Sequence, residues 1–164
     1  MLGDEDTLAM PSIRTAPIER LPRRGDAFMI PRPVEGGPAQ FVVDATWGRI
    51  TPMQLAPGVR TVGQPEVLAH IEAGLPLIDT RLPKYLLHGT LPSARGIPHT
   101  EIADLGEIDP EADTILFCNG PQCAATPDAI RRLLDAGHPA GRLLYYRGGI
   151  HDWVTLGLPL ASAR

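Results

Sequence analysis

The chain has 164 residues, of which 43% are apolar and 21% charged, and its net charge is −4. This length and balance predict one globular domain with an appendage. The negative charge and the lack of any basic run exclude a nucleic-acid surface as the main function. No apolar run reaches the roughly 20 residues that a membrane span needs. The N-terminus opens acidic without an apolar segment, so we expect no signal peptide and a cytoplasmic location.

Residues 1–57 carry eight of the eighteen prolines and few apolar clusters. This composition predicts an extended arm, and residues 58–164 are then the folded domain. Residues 28–30 and 41–43 are apolar enough to pin the arm to that domain. Residues 47–53 alternate weakly and are interpreted as an edge strand, where Pro52 is tolerated because edge strands have spare amides.

From residue 61 the apolar pattern is regular and predicts alternating elements. Strands are predicted at 75–79, 94–97, 114–117 and 143–146, helices at 65–73, 100–105 and 150–156, and one or two helical turns at 83–88. The central helix starts either with Thr126 as its N-cap or near Ala124, with Pro127 inside the first turn. This alternation predicts an α/β fold in which a parallel sheet of about five strands has helices on both faces.

Cys118 follows the buried run 114–117 and precedes a tight loop and then a helix. Loop amides and the positive end of that helix form a small cup for an anion. A thiol placed there is expected to have a lowered pKa, which suits a sulfur nucleophile. The alternative is that Cys118 is a small buried residue at a strand end.

The chain has two cysteines, Cys118 and Cys123, which are too few for a disulfide framework. The five histidines form no paired spacing with them that would make a zinc site. We therefore predict no metal and no cofactor.

Ligands of parallel α/β sheets bind beyond the carboxyl ends of the strands. Residues 79–81, 118–123 and 147–149 all follow predicted strands. We expect these three segments to converge on one rim.

Four segments in this order resemble the rhodanese superfamily of sulfurtransferases. They are LIDTR (77–81), GTLPSARGIPH (89–99), ILFCNGPQC (115–123) with its helix, and YYRGGIHDWVTLGLPL (145–160). The resemblance covers roughly residues 59–160 and implies a rhodanese-like fold. It also implies that a cysteine takes a sulfane sulfur from a small donor, thiosulfate or a persulfide, and passes it to a thiol or cyanide.

By this resemblance the nucleophile is Cys118, and Asp79 and Arg81 brace the rim. Gly148, Gly149 and Trp153 match the family's closing turn and helix packing. The candidate substrate-binding residues are those of the loop and two nearby cations: Asn119, Gly120, Pro121, Gln122, Cys123, Ala124, Arg81 and Arg147.

The chain departs from the family pattern where Cys123 replaces the arginine that usually ends the loop, and where Thr90 replaces a histidine. Without a cation in the loop, a dianion such as thiosulfate is disfavoured unless Arg81 or Arg147 reaches in. Phosphatases of this fold need a longer loop and an arginine fork, whereas the next position here is Ala124, so phosphoryl transfer is not expected.

Three functions are therefore weighed: a sulfurtransferase with a Cys118 persulfide, a thiol redox sensor or relay that uses Cys118 and Cys123, and an inactive rhodanese-like binding module. Cys123 is either a second thiol that receives or resolves the sulfur, or a small residue that packs at the helix start.

Overall fold

A computed structural model of the chain describes residues 32–33, 41–42 and 50–163. Arg32–Pro33 (β1) and Phe41–Val42 (β2) pair in antiparallel fashion. The predicted anchor at 28–30, residue 43 and most of the predicted arm lie outside the described residues. Of the edge strand predicted over 47–53, the described part, residues 50–53, is not a strand.

A five-stranded parallel sheet forms the centre of the domain, as predicted. Its strands are Arg60–Val62 (β3), Leu77–Asp79 (β4), Arg95–Gly96 (β5), Thr114–Phe117 (β6) and Leu143–Tyr146 (β7), in the spatial order β3, β7, β6, β4, β5. Strand β6 therefore lies in the middle, between β4 and β7. Its four residues are all buried, which explains why it is a continuous apolar run.

Helices cover both faces of the sheet. They are Gln64–Glu72 (α1), Ala125–Asp135 (α2) and Gly149–Thr155 (α3), with short 3₁₀ helices at Pro83–His88 and Ala140–Arg142. Leu116 of β6 packs into the core on the α2 side, whereas its neighbours Ile115 and Phe117 pack with α1 and α3. The alternation along β6 thus builds two apolar layers from one strand.

Besides the edge strand, the helix predicted at 100–105 is wrong, one strand was not predicted, and one open alternative is decided. Residues 100–105 form turns instead of a helix, because Ile102 alone is buried there and anchors the segment to the α2-side core. Strand β3 was not predicted, since it has only three residues and is defined by its pairing with β7. Helix α2 begins at Ala125, which agrees with the start near Ala124.

No helix in the described part of the chain is long and apolar enough to span a bilayer.

Candidate functional site

Cys118 directly follows β6, and the loop 119–124 connects it to the first turn of α2. Both loop thiols are reduced and almost fully enclosed, with 2% of Cys118 and 1% of Cys123 exposed. The sulfur of Cys118 therefore lies at the amino end of a helix, in surroundings that exclude most of the solvent.

The amino end of α3 holds the start of this loop. The Ile150 N–H donates to the carbonyl oxygen of Cys118 at 3.0 Å, and the His151 N–H donates to that of Asn119 at 2.8 Å. In a planar trans peptide the N–H points opposite to the carbonyl oxygen. The amides of Asn119 and Gly120 are therefore turned away from α3, to the side of the two sulfurs.

Gly149 makes this contact feasible. Its φ is +54°, and a Cβ at this position would overlap the carbonyl oxygen of Cys118. Any other residue would push α3 away from the loop. The role in packing that the family resemblance implied for Gly149 thus has a specific cause.

The far side of the loop is held by Thr51, a residue that the sequence placed in the arm. Its N–H donates to the carbonyl oxygen of Pro121 at 2.7 Å. Its own carbonyl oxygen accepts from Nε and Nη2 of Arg147 at 3.0 and 2.8 Å, and its hydroxyl lies 3.0 Å from that of Tyr145. By the same peptide geometry, the Gln122 amide faces away from Thr51.

Arg147, which the sequence offered as a candidate substrate-binding residue, is hydrogen-bonded to Thr51 in the structure. Two of its N–H groups hold Thr51, and through Thr51 they hold Pro121. Thr51 was not predicted as part of the site. It lies in a proline-rich segment, and no local pattern there indicates a contact with a loop 70 positions later.

One amide of the loop departs from the predicted cup. The Cys123 N–H donates to the carbonyl oxygen of Gly120 at 3.0 Å and closes a tight turn.

The side-chain oxygen of Gln122 is buried and has no hydrogen-bond partner among the described residues. Ala124, at the end of the loop, is exposed and precedes α2.

The sulfur of Cys118 receives several hydrogen bonds. Burial by itself would raise the pKa of Cys118, but hydrogen bonds from the Cys123 thiol, the Thr126 hydroxyl and the N–H groups of Thr126 and Gly120 outweigh burial and lower the pKa. The Thr126 hydroxyl is held in turn by the Thr80 hydroxyl at 2.8 Å. The direction is the one expected for a thiolate at a helix amino end.

Cys123 responds in the opposite direction. Its hydrogen bond to Cys118, its burial and the negative charge on Cys118 together raise the pKa of Cys123 well above the usual value, although the N–H groups of Ala125 and Asn119 oppose this. Of the two thiols, Cys118 is therefore the more acidic, and Cys123 is its hydrogen-bond donor. When Cys118 is protonated it has another partner, since its Sγ lies 3.7 Å from the carbonyl oxygen of Cys123.

Arg81 braces the rim from inside the protein. Its Nη2 lies 2.6 Å from Oδ2 of Asp79 and 2.7 Å from the carbonyl oxygen of Gly89, and its Nη1 lies 3.4 Å from Oδ1 of Asn119. The Thr90 hydroxyl donates to the same Asp79 oxygen at 2.6 Å. Thr90, which replaces the family's histidine, thus completes the set of donors around a buried carboxylate.

A cavity of about 480 Å³ lies beside the loop and the first turn of α2. Its walls are mostly apolar, with one polar side. The residues that line it are Arg81, Leu82, Tyr85, His99, Asn119, Cys123, Ala124, Ala125 and Asp128, and Cys118 is not among them. Of the two thiols, Cys123 is the one that borders this space.

The polar side of the cavity is formed by His99 and Asp128, which the sequence did not predict to be in contact. Nδ1 of His99 lies 2.7 Å from Oδ2 of Asp128. The same Oδ2 accepts from Arg132, and Oδ1 of Asp128 accepts from Arg131. Burial would raise the pKa of Asp128, but the hydrogen bonds from Arg132, His99 and Arg131 lower it far below the usual value. The spacing of Asp128, Arg131 and Arg132 on a helix was a signal for their pairing, whereas nothing local marks His99.

Among residues 50–163, no group of three or more His, Cys, Asp or Glu side chains is placed to hold a metal ion.

The rhodanese-like domain family matches residues 64–156 of the chain. Thr51 precedes the matched region, so its contact with the loop is a feature of this chain outside the family match.

Two characterised proteins are similar in sequence. The HTH-type transcriptional regulator Rv0324 of Mycobacterium tuberculosis is 37% identical over 97 residues, which are 58% of this chain and 42% of the regulator. A sulfurtransferase of Allochromatium vinosum is 32% identical over 87 residues, which are 52% of this chain and 78% of that protein. The chain thus spans less than half of the regulator and most of the sulfurtransferase.

Solved structures share the fold. A full-length protein from Lactobacillus plantarum superposes with a TM-score of 0.54 at 20% identity, over 62% of this chain and 87% of that one. At this identity the likeness supports the architecture alone.

We expect Gly149→Ala to lower the free energy of unfolding by about 2 to 4 kcal/mol, because the new Cβ needs a left-handed backbone and overlaps the Cys118 carbonyl. Urea unfolding measures this. Gly141→Ala is the matched control, since a Cβ there meets no atom within 4 Å and should leave stability almost unchanged. Equal effects of the two variants would contradict the packing role of Gly149.

We expect Arg147→Ala to loosen the loop by freeing Thr51 from its two charged hydrogen bonds. Hydrogen exchange followed by mass spectrometry should show protection in residues 119–124 falling by about tenfold, equivalent to about 1.4 kcal/mol. Arg142→Ala, which removes an exposed arginine paired with Asp113, should leave the loop unchanged. Undiminished loop protection in Arg147→Ala would show that Thr51 does not depend on this arginine.

We expect Cys123→Ala to raise the pKa of Cys118, because the variant removes the thiol that donates to its sulfur. The midpoint of the pH profile of iodoacetamide alkylation at Cys118 should then lie at higher pH than in the wild type. The midpoint is the proper measure, since a smaller residue at 123 also changes access. An unshifted midpoint would mean that the backbone and Thr126 donors hold the thiolate without Cys123.

Proposed function

The chain belongs to the rhodanese family, and on this premise we propose that it is a sulfurtransferase in which Cys118 carries a sulfane sulfur as a persulfide. The Cys118 thiolate attacks the sulfane sulfur of a small donor. A bond forms between the two sulfurs, and the bond within the donor breaks, with its electron pair leaving on the rest of the donor. A thiol or cyanide then takes the sulfur and returns Cys118 as a thiolate.

The observation that carries this proposal is the set of hydrogen bonds to the Cys118 sulfur. They come from neutral donors, which are the Cys123 thiol, the Thr126 hydroxyl and two backbone N–H groups. These donors stabilise negative sulfur without a neighbouring base, as both a nucleophilic thiolate and its persulfide require. The match to a sulfurtransferase over 78% of that protein supports sulfur transfer in general.

The arginines near the loop favour a persulfide over thiosulfate as the donor. Arg81 donates to Asp79 and Gly89, and Arg147 donates to Thr51. A dianion has no guanidinium in the loop to pair with, whereas a persulfide carries less charge and needs less compensation. The donor preference therefore follows from the partners of these two arginines.

A second candidate is a thiol sensor or relay. It is favoured by the hydrogen-bonded contact of Cys118 with Cys123, which brings two thiols together. One similar protein is a transcriptional regulator, in which a domain of this kind accompanies a different function. In a sensor the pair would close as a disulfide, and no sulfur would be passed on.

We expect Cys118→Ser to abolish sulfur uptake, because it removes the nucleophile and keeps the size of the side chain. The wild type should gain the mass of one sulfur after exposure to cysteine persulfide, and less with thiosulfate, when measured by mass spectrometry of the intact protein. Circular dichroism of the variant serves as the control for folding. Equal uptake by Cys118→Ser, or no uptake by the wild type from any donor, would overturn the proposal.

A further inference from the structure

We propose that Cys123 is a second sulfur carrier, which takes the sulfane sulfur from Cys118 and delivers it to a small organic thiol bound in the cavity beside α2. This inference rests on the proposed function and assigns the exit route of the same site.

The cavity beside α2 borders one of the two thiols. It has about 480 Å³ of space and borders Cys123 but not Cys118. Small-molecule sites in proteins commonly have volumes of about 300 to 1,000 Å³. An acceptor in this cavity therefore lies against the wall to which Cys123 contributes, and Cys118 is not part of that wall.

The contact between the two thiols makes a direct transfer of sulfur feasible. Cys123 donates its S–H to the Cys118 sulfur, and both side chains belong to one buried cluster with Ala125. When Cys118 carries an added sulfur as a persulfide, that outer sulfur is bonded to an atom that the Cys123 thiol contacts. It therefore lies close to the Cys123 sulfur. Transfer between them needs no diffusion of a carrier.

The transfer balances without any co-reactant. The Cys123 sulfur attacks the outer sulfur of the Cys118 persulfide, and a bond forms between them. The sulfur–sulfur bond at Cys118 breaks, and its electron pair goes to the Cys118 sulfur. The proton of the Cys123 thiol moves to the outer sulfur, and Cys118 leaves as the thiolate that its hydrogen-bond donors stabilise. No net oxidation or reduction occurs.

The surroundings favour this direction. In exchange at sulfur, the thiol with the lower pKa is the better leaving group. The pKa of Cys118 is lowered by the donors around it, whereas that of Cys123 is raised by its hydrogen bond to Cys118 and by burial. The sulfur is thus expected to rest on Cys123, with Cys118 released.

In the second half, the acceptor thiol attacks the outer sulfur held by Cys123. The bond to Cys123 breaks, Cys123 takes the electron pair and the acceptor's proton, and the acceptor leaves as a persulfide. Apolar walls at Leu82, Tyr85 and Ala125 suit a compact organic thiol, and the His99 and Asp128 pair offers one polar side. This describes the acceptor as a low-molecular-weight thiol.

The test uses Cys123→Ser, because a hydroxyl still donates to Cys118 but cannot carry sulfur. Wild type and variant are loaded with cysteine persulfide and freed of donor. Peptide mapping after alkylation then locates the sulfur. We expect the wild type to carry it mainly on Cys123 and the variant to carry it on Cys118. On addition of glutathione, the wild type should discharge and the variant should lose this discharge.

Loading of the variant on Cys118 shows that its site is intact, and it separates the two proposals. If neither protein loads, the sulfurtransferase proposal itself fails. If both load on Cys118 and discharge to glutathione at the same rate, the second carrier is overturned. Loss of two hydrogens from the wild type with release of hydrosulfide would also overturn it, since Cys123 would then form a disulfide with Cys118.

Discussion

The site depends on how the carbonyl groups of the loop after β6 are held from outside. The amino end of α3 binds the carbonyls of Cys118 and Asn119, and Thr51 binds that of Pro121. Because each peptide is planar, these three contacts also orient the amides that follow them. Cys123 and Thr126 donate to the Cys118 sulfur directly, whereas the orientation of the loop amides depends on elements that do not touch sulfur, namely a glycine-started helix and a segment before the family match.

In this loop the groups that stabilise negative sulfur are neutral hydrogen-bond donors, whereas a loop that ends in arginine also supplies a positive charge. Here Cys123 occupies the position of that arginine and donates a single hydrogen bond to Cys118. The donor can itself react with sulfur, which a guanidinium cannot. Electrostatic support and a second thiol therefore come from the same side chain, and this links the lowered pKa of Cys118 to the raised pKa of Cys123.

The two arginines beside the site, Arg81 and Arg147, both donate hydrogen bonds to other groups of the protein. Arg81 is bound to Asp79 and Gly89, and its partner Asp79 also accepts from Thr90. Each of these donors offsets part of the cost of burying the Asp79 side chain, so removing one would increase that cost. The cavity beside the loop has mostly apolar walls and one hydrogen-bonded pair, His99 with Asp128.

Local sequence was sufficient for β6, the loop, α2 and the position of Cys118 between them, because a buried strand, a tight turn and a helix are each specified by neighbouring residues. It was not sufficient for β3 or residues 100–105, whose conformation depends on one partner strand and one buried anchor. Tertiary structure alone brought Thr51 to Pro121, turned Arg147 to Thr51 and placed His99 with Asp128 beside Cys123. These contacts join residues far apart in the chain, and no local pattern encodes them. The sequence by itself therefore determined the candidate nucleophile and the strand, loop and helix around it, whereas its hydrogen-bond partners from distant segments were decided by folding.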